Sequence, residues 1–376
     1  MAAPQQTYNV GILGATGTVG QRFITLLSTH PFLKIHTLGA SERSAGKKYL
    51  VATKWKQSTP CHDSVKELSI KSCDPKHFSG CDIIFSGLDH DVAGPIETAF
   101  RQANFKVFTN AKNYRRDPLV PLLVPTANPT HINLLTTQQK TVKTDGFIVA
   151  NSNCSTAGVV VPMAALQATY PGLVADVDVV TMQAISGAGY PGVSSMDILD
   201  NVVPFIGGEE DKIEWESGKI LGHLRDGAIQ HLDLDVTASC NRVAVLDGHL
   251  ACITLRYSSS SASVPSESEI TRCFNDFTPI VRGPALPSAP RRAIHVLDDQ
   301  DRPQPRLDRE IDGGYAVSVG RIRNLVDRAG SIRGVKFVCL VHNTVLGAAG
   351  MGILNAELAI QQGFIKPSLE GSRGNL

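Results

Sequence analysis

The sequence predicts an α/β protein of two domains, a doubly wound parallel sheet followed by an α+β unit. Three observations carry that expectation. At 376 residues the chain exceeds the roughly 250–300 that one core usually accommodates. Strand-like and helix-like segments alternate with short links over residues 1–152, after which longer β-branched strands are separated by independent helices. A glycine loop stands between the first strand and the first helix.

Composition narrows the function classes. The chain is 42% hydrophobic and 19% charged with a net charge of +1, as in an ordinary globular protein, so neither nucleic acid nor an anionic membrane is an expected partner. Its start is polar, which speaks against a signal or transit peptide, and no apolar run approaches the roughly 18 residues of a membrane helix. Eight cysteines without C-x-x-C pairs and eleven histidines without metal-ligand spacing indicate a reduced, cytoplasmic protein with no metal.

Residues 8–13 read as a buried strand and 19–28 as a helix, with Val19, Phe23, Leu26 and Leu27 at helical spacing and Pro31 closing it. The link, Gly14-Ala15-Thr16-Gly17-Thr18-Val19-Gly20, spaces its glycines as G-x-x-G-x-x-G. In a strand–loop–helix setting such glycines let the backbone approach a pyrophosphate at the helix N-terminus. Gly14, Thr16, Gly17, Thr18 and Val19 are therefore candidate cofactor contacts in a Rossmann-type domain; a plain βα turn is the bland alternative. After a strand at 34–38, the hydroxyls of Ser41 and Ser44 and the guanidinium of Arg43 suit the 2′-phosphate of NADP(H), helped by Lys47 and Lys48. Glu42 dissents, because a carboxylate there would hold the ribose of NAD. Further strands at 82–86 and 106–109 flank a helix at 95–103, and Ser86, Gly87 and Leu88 end a strand where the cofactor should lie. Residues 110–116 are dense in anion donors, among them Asn113, Arg115 and Arg116.

Residues 147–150 read as another strand, Asn151-Ser152-Asn153 as turn and cap chemistry, and Cys154 as the first residue of a helix. The helix dipole and free N–H groups there favour thiolate over thiol and offer an oxyanion site. An inert buried cysteine is the alternative. A strand at 177–182 delivers Gln183 to a glycine loop containing Ser186 and Gly187, suited to orienting a substrate or nicotinamide, although an ordinary hairpin explains it as well. Glu209, Glu210 and Asp211 open a helix running to 221, where acids suit the dipole. Arg242 and His249 bracket a short strand and turn. An arginine can clamp a carboxylate in bidentate fashion and a histidine can move protons near neutral pH, yet each alone is compatible with a structural role.

Residues 251–257 form a strand, the serine-rich 258–268 a loop, and Ser266 with Glu269 a capping box for a helix at 269–277. Proline-rich 284–309 reads as loop, 315–321 and 334–341 as antiparallel strands, and 346–361 as a helix returning to the first domain, with 367–376 frayed. The expected division is 1–152 plus 343–376 for nucleotide binding, and 153–342 for catalysis and oligomerisation.

A nucleotide loop, a cysteine at a helix mouth and a downstream histidine together resemble the aspartate-β-semialdehyde dehydrogenases, in their archaeal and fungal branch. The resemblance spans essentially the whole chain. It is carried by GATGTVG (14–20), SERSAGKKY (41–49), NAKNYRR (110–116), SNCST (152–156), QAISGAGYPG (183–192), GGEEDK (207–212), RVAVLDGH (242–249) and HNTVLGAAG (342–350). One departure is Pro125-Thr126-Ala127-Asn128, where an acidic residue would be expected before the asparagine. The resemblance implies that Cys154 forms an acyl-thioester, His249 is the acid/base and Gln183 orients the substrate. It implies Arg242 for the substrate carboxylate, Glu209 or neighbouring Glu210 for its ammonium, Lys212 and Arg115 for phosphate, and Asn343 near the nicotinamide of NADP(H). The implied reaction is reduction of L-aspartyl-4-phosphate to L-aspartate 4-semialdehyde by a homodimer or homotetramer. An N-acetyl-glutamyl-phosphate reductase shares the chemistry, but the acidic pair would face an uncharged acetylated nitrogen. Glyceraldehyde-3-phosphate dehydrogenase fits the loop and clamp pattern poorly. A catalytically silent NADP-binding sensor would keep the fold and lose the turnover.

Overall fold

The computed structural model describes residues 6–258 and 264–366. Short apolar strands, buried along most of their length, build the first sheet, as parallel strands covered by helices must. β1 (Tyr8–Leu13), β2 (Leu33–Ala40), β3 (Lys71–Ser72), β4 (Ile83–Ser86), β5 (Lys106–Thr109), β6 (Leu122–Leu123) and β7 (Phe147–Asn151) join one seven-stranded sheet. Every pairing is parallel, in the order β3-β2-β1-β4-β5-β7-β6. The chain leaves β1 on one side for β2 and returns on the other at β4. Open α/β sheets form their ligand crevice at that reversal, beyond the carboxyl ends of the strands.

The helix following β1 is Thr18–Leu27. The helix His90–Gln102 starts earlier than its sequence suggests. Asp89 caps it by accepting from the Asp91 N–H, so the cap and not Pro95 sets the start. Helix Leu134–Val142 was not expected, because its threonines and glutamines hide the apolar period.

The second sheet comprises β8 (Val174–Gln183), β11 (Asp235–Arg242), β12 (His249–Tyr257), β13 (Ile294–Leu297), β14 (Val317–Val326) and β15 (Ile332–Val341). Strands β9 (His223–Arg225) and β10 (Ala228–Gln230) form a separate ribbon. The large sheet runs β11-β8-β12-β15-β14-β13, antiparallel in the middle but parallel at both edges. The expectation of antiparallel strands alone missed this, because a parallel pair needs a long crossover. Helix Glu209–Ile220 supplies one between β8 and β11. Residues 243–248 form no strand. They link Arg242, the last residue of β11, to His249, the first of β12. The stretch 284–309 holds β13 and the short helix Pro305–Asp308 as well as loop.

Helix Cys154–Thr169 leads from β7 onto the second sheet, packing on β8, β12, β14 and β15, and every residue from Ser155 to Leu166 is buried. A helix enclosed all round is a rigid post. Burying Val159, Val160, Val161, Met163 and Leu166 contributes on the order of 1.5–3 kcal/mol each. The capping box of Ser266 and Glu269 starts helix Glu267–Asp276, which packs on it. The C-terminal part makes a π-turn, Val345–Ala349, then helix Gly350–Gln361. Asn355 in that helix donates to Asn151 Oδ1 (2.8 Å) at the end of β7, tying it to the first sheet. Residues 259–263 of the serine-rich loop and 367–376 lie outside the described residues. Among those described, no helix is long and apolar enough to cross a membrane.

Candidate active site

A cleft of about 960 Å³ opens beyond the carboxyl ends of β1 and β4 and reaches Cys154. Its nucleotide side is shaped by backbone. Gly14 takes φ +70°, and a Cβ there would lie 2.6 Å from the Gly87 carbonyl oxygen. A Cβ on Gly20 would lie 2.3 Å from the Gly14 oxygen, so only glycine lets the helix close on the loop. The tight turn, the open backbone approach and the helix N-terminus fit a dinucleotide. Thr18, Val19, Gly87 and Leu88 line the cleft, whereas Ser86 is buried beneath it. Gly14, Thr16 and Gly17 form the turn behind this lining. Ser41 and Arg43 are exposed and Ser44 half-buried, in the turn that follows β2 beside Gly14 and outside the lining. Lys48 pairs with Glu67 on the surface.

The catalytic side is made of side chains. β7 carries the chain to Asn153, whose Oδ1 accepts from the N–H groups of Ser155 (2.9 Å) and Thr156 (3.1 Å) and starts the helix. Cys154 Sγ then faces His249 Nε2 at 3.2 Å. Nδ1 of the same ring accepts from the Ala184 N–H at 3.0 Å, and the Ala184 carbonyl accepts from Arg242 Nη1 at 2.7 Å. Opposite them, Glu209 accepts from Asn153 Nδ2 (2.7 Å) and Lys212 Nζ (2.9 Å). Arg115 donates to Glu216 (2.8 Å) and to the Asn110 carbonyl (3.0 Å). Two glycines allow these approaches. A Cβ on Gly187 would sit 2.9 Å from Arg242 Nη1 and 3.0 Å from His249 Nε2, and one on Gly347 would sit 2.8 Å from the Cys154 Cβ.

The electrostatics of the site run against the expected thiolate. Burial, reinforced by Glu209, pushes the Cys154 thiol up to about 12, against the pull of Arg115, Arg242 and Lys212. Burial pushes the His249 imidazole down to about 3, with Glu209 opposing and Arg242 and His342 assisting. Both shifts weigh against charge on the resting pair. Two of the N–H groups expected to form an oxyanion site are taken by the Asn153 cap. Glu209 behaves otherwise: burial raises it, but Lys212 and Asn153 outweigh that and hold its carboxyl below the ordinary range.

Cys154, Glu209, Lys212, Arg115, Arg242, Ser186, Gly187 and Asn343 all line the cleft. Asn343 donates to Ser186 Oγ (2.8 Å) and accepts from the Gly248 N–H (2.8 Å). Other candidates point elsewhere. Gln183 is buried and donates to Thr181 Oγ1 (3.2 Å). Glu210 accepts from the Cys240 N–H (3.0 Å), which leaves Glu209 as the carboxylate of the cleft. Asn113 is exposed and donates to the His90 carbonyl (3.0 Å), and Arg116 pairs with Asp211 on the surface. In the departing loop, Asn128 is a buried brace between Val124 and Leu122. Sequence reading missed Glu216 and Lys219. Glu216 Oε2 accepts from the Asn153 N–H (2.6 Å), joining Arg115 to the cysteine helix. Lys219 donates to the carbonyls of Arg115, Asp117 and Val120. The signal was available: 209, 212, 216 and 219 recur at helical spacing, which puts four charged groups on one face. Asp89, His90 and Asp91 have metal-ligand spacing among the described residues, but they are exposed at a helix start, where acids suit the dipole.

A doubly wound crevice opening onto this cavity defines an oxidoreductase with a dinucleotide-binding domain. Residues 9–135 match the semialdehyde dehydrogenase NAD-binding domain, and 163–346 match the semialdehyde dehydrogenase dimerisation domain. The chain is 58% identical to the aspartate-semialdehyde dehydrogenase of Schizosaccharomyces pombe, over 95% of this chain and 99% of that one. It is 53% identical to that of Trichophyton rubrum, over 97% and 100%. A crystal structure of aspartate semialdehyde dehydrogenase with NADP from Candida albicans superposes with a TM-score of 0.86 at 47% identity, covering 96% of this chain and 100% of that one. The chain belongs to the aspartate-semialdehyde dehydrogenase family.

Proposed function

We propose that the protein reduces L-aspartyl-4-phosphate to L-aspartate 4-semialdehyde with NADPH, through a thioester on Cys154. The observation that carries this reading is Cys154 Sγ at 3.2 Å from His249 Nε2, in a cleft that also presents Arg242, Glu209, Arg115 and Lys212. Each charge of the substrate has a counterpart there: Arg242 for the α-carboxylate, Glu209 for the ammonium, Arg115 and Lys212 for the phosphate. Cys154 Sγ bonds to the acyl carbon as the bond to the phosphate oxygen breaks. His249, beside the sulfur, is the acid/base: it takes the thiol proton as Sγ attacks and shuttles it as the thiohemiacetal collapses, while Gln183 orients the substrate. Thr18, Val19, Gly87, Leu88, Ser186 and Asn343 hold the cofactor, with Ser41, Arg43 and Ser44 on its 2′-phosphate. Bound there, it supplies the hydride that brings the thioester to the aldehyde level.

An anionic Glu209 in the cleft speaks against an N-acetylated substrate, which brings no ammonium. The setting is cytoplasmic biosynthesis of methionine, threonine and isoleucine, and of lysine in some organisms, by a homodimer or homotetramer paired through residues 163–346. The test is reduction of NADP⁺ by L-aspartate 4-semialdehyde, with and without phosphate, beside NAD⁺ and beside Cys154→Ser. Turnover that needs phosphate, prefers NADP⁺ and vanishes in the variant is expected. Turnover with N-acetylglutamate semialdehyde instead, or cofactor binding with no turnover on either aldehyde, would overturn the reading.

A further inference from the structure

Lys219 is a cation that the reaction above does not use, and it is only 2% exposed. Its Nζ donates to the carbonyls of Arg115 (2.8 Å), Asp117 (2.8 Å) and Val120 (3.0 Å), all in the loop between β5 and β6. An ammonium has three N–H donors and no acceptor, so these three carbonyls saturate it. Helix Glu209–Ile220 grips the loop a second time, because Glu216, three residues earlier, holds the Arg115 guanidinium at 2.8 Å. Lys219 thus fixes the backbone of Arg115 while Glu216 fixes its side chain. The Trp215 ring serves both neighbouring cations, its centroid lying 5.9 Å from Lys219 Nζ and 4.8 Å from the Arg116 guanidinium. A lysine with three backbone acceptors on one loop is a staple, and the residue it staples lines the cleft.

We propose that Lys219 is a positioning residue for the phosphate site: its ammonium gathers three carbonyls and so holds Arg115 at the cleft, and loss of one proton releases that hold. The proposal rests on the reading of Arg115 as a phosphate ligand. A neutral amine keeps two donors and turns a lone pair toward the third carbonyl, so one of the three bonds becomes a repulsion in a buried site. Burial pushes the Lys219 ammonium down to about 8, with Asp117 and Glu216 opposing. The charged form therefore holds the loop at neutral pH and is lost as pH rises through about 8. Two imidazoles also feel this charge. His131, on the short helix Pro129–Asn133, is pushed down to about 4, and His231, after β10, is pushed down as well, in both cases by burial first and with Lys219 assisting. Both are neutral where Lys219 titrates, and Arg115 stays paired with Glu216. The loss of charge at this joint above neutral pH belongs to Lys219.

The test is phosphate-dependent reduction of NADP⁺ by L-aspartate 4-semialdehyde in the full-length enzyme and in Lys219→Met, which keeps an apolar stem and removes the donors. The KM for phosphate at neutral pH should rise about tenfold or more, the scale of a lost hydrogen bond to a charged group, while the KM for NADP⁺ stays within about twofold. In the wild type the KM for phosphate should climb toward the variant's value between about pH 7.5 and 9.5, and in Lys219→Met it should stay flat. Parallel pH profiles, or equal rises in every KM, would overturn the proposal, because a merely structural lysine would produce them. Should Lys219→Met fail to fold, Asp117→Asn decides. It keeps an acceptor for the Leu119 N–H but removes the carboxylate that most supports the Lys219 charge, so the midpoint should move to lower pH. An unmoved midpoint would also overturn the proposal. Inorganic phosphate titrated into the NADP⁺-loaded enzymes and followed by ³¹P NMR linewidth gives the same comparison without turnover, so failure of the reaction assignment would show separately.

Discussion

The two sides of the cleft are built by different means. On the nucleotide side the shape comes from backbone, within a dozen residues of β1: Gly14 with positive φ, Gly20 against the Gly14 oxygen, and a helix N-terminus. On the catalytic side it comes from side chains delivered by β7, β8, β11, β12 and helix Glu209–Ile220, locked by buried charge. A backbone site tolerates changes in its neighbours and is local. A side-chain site depends on partners a hundred residues away, as Arg115 does on Glu216. The largest test of the contrast is Cys154→Ser. Turnover should fall on the order of 10⁴-fold or more, as when a covalent nucleophile is removed. The Kd for NADPH from fluorescence titration should stay near the wild-type value. If cofactor binding fell with turnover, the two sides would not be separable.

Glu216→Ala probes the lock itself. Glu216 holds the Arg115 guanidinium and the Asn153 N–H, and both are buried. Removing it leaves Arg115 without its counter-ion, which should cost about 3–5 kcal/mol in denaturant unfolding. The KM for phosphate should rise as well. A loss below about 1 kcal/mol, the worth of an exposed pair, would mean that water replaces the carboxylate.

The same contrast decides what could be read from the sequence. The G-x-x-G-x-x-G loop, β1 and the capping box at Ser266 were legible because each is governed by neighbours within one or two turns of chain. Cys154 was legible from the strand–turn–helix pattern around it, and its pairing with His249 from the family resemblance. The upward push on its thiol was not, because desolvation depends on how completely the surrounding elements close. Glu216 and Lys219 went unread for a related reason. On an isolated helix they look like a solvated face, and only the 110–120 loop folding over them makes them a buried lattice. The parallel edges of the second sheet needed knowledge of where the crossovers land.

A titratable side chain also lies beneath the backbone-built crevice. Glu97 is buried below the carboxyl ends of β4 and β5, accepting from Thr109 Oγ1 (2.6 Å). Burial pushes its carboxyl up from 4.5 to about 7, with hydrogen bonds opposing only in part. The folded protein therefore binds this proton more tightly than the unfolded chain. Stability from this group is full below pH 4.5 and is lost as pH rises toward and through 7. Relative to Glu97→Gln, the wild type should lose about 2–3 kcal/mol between pH 4.5 and pH 8. Parallel unfolding curves for the two proteins over that range would show that the acid is already satisfied by its surroundings.

The smallest effect is expected where the two sides touch. Lys56 Nζ lies 4.5 Å from the centroid of the Tyr190 ring, joining the loop after Thr53 to the glycine loop across the mouth of the cleft. Gln21 fixes the first partner: its Oε1 accepts from the Lys56 N–H (2.7 Å), and its Nε2 donates to the Lys54 carbonyl (3.1 Å). The second partner is free to move, since Gly189 and Gly192 flank Tyr190 with positive φ. Both side chains are exposed, so the contact is worth about 0.5–1 kcal/mol. Lys56→Ala should therefore speed NADPH dissociation about two- to fivefold in stopped-flow displacement, and Tyr190→Leu should do the same. In the double variant the effects should not add, because a single contact is being removed. Additive effects would mean that each residue acts on the cofactor alone and that the sides of the cleft meet only at Cys154.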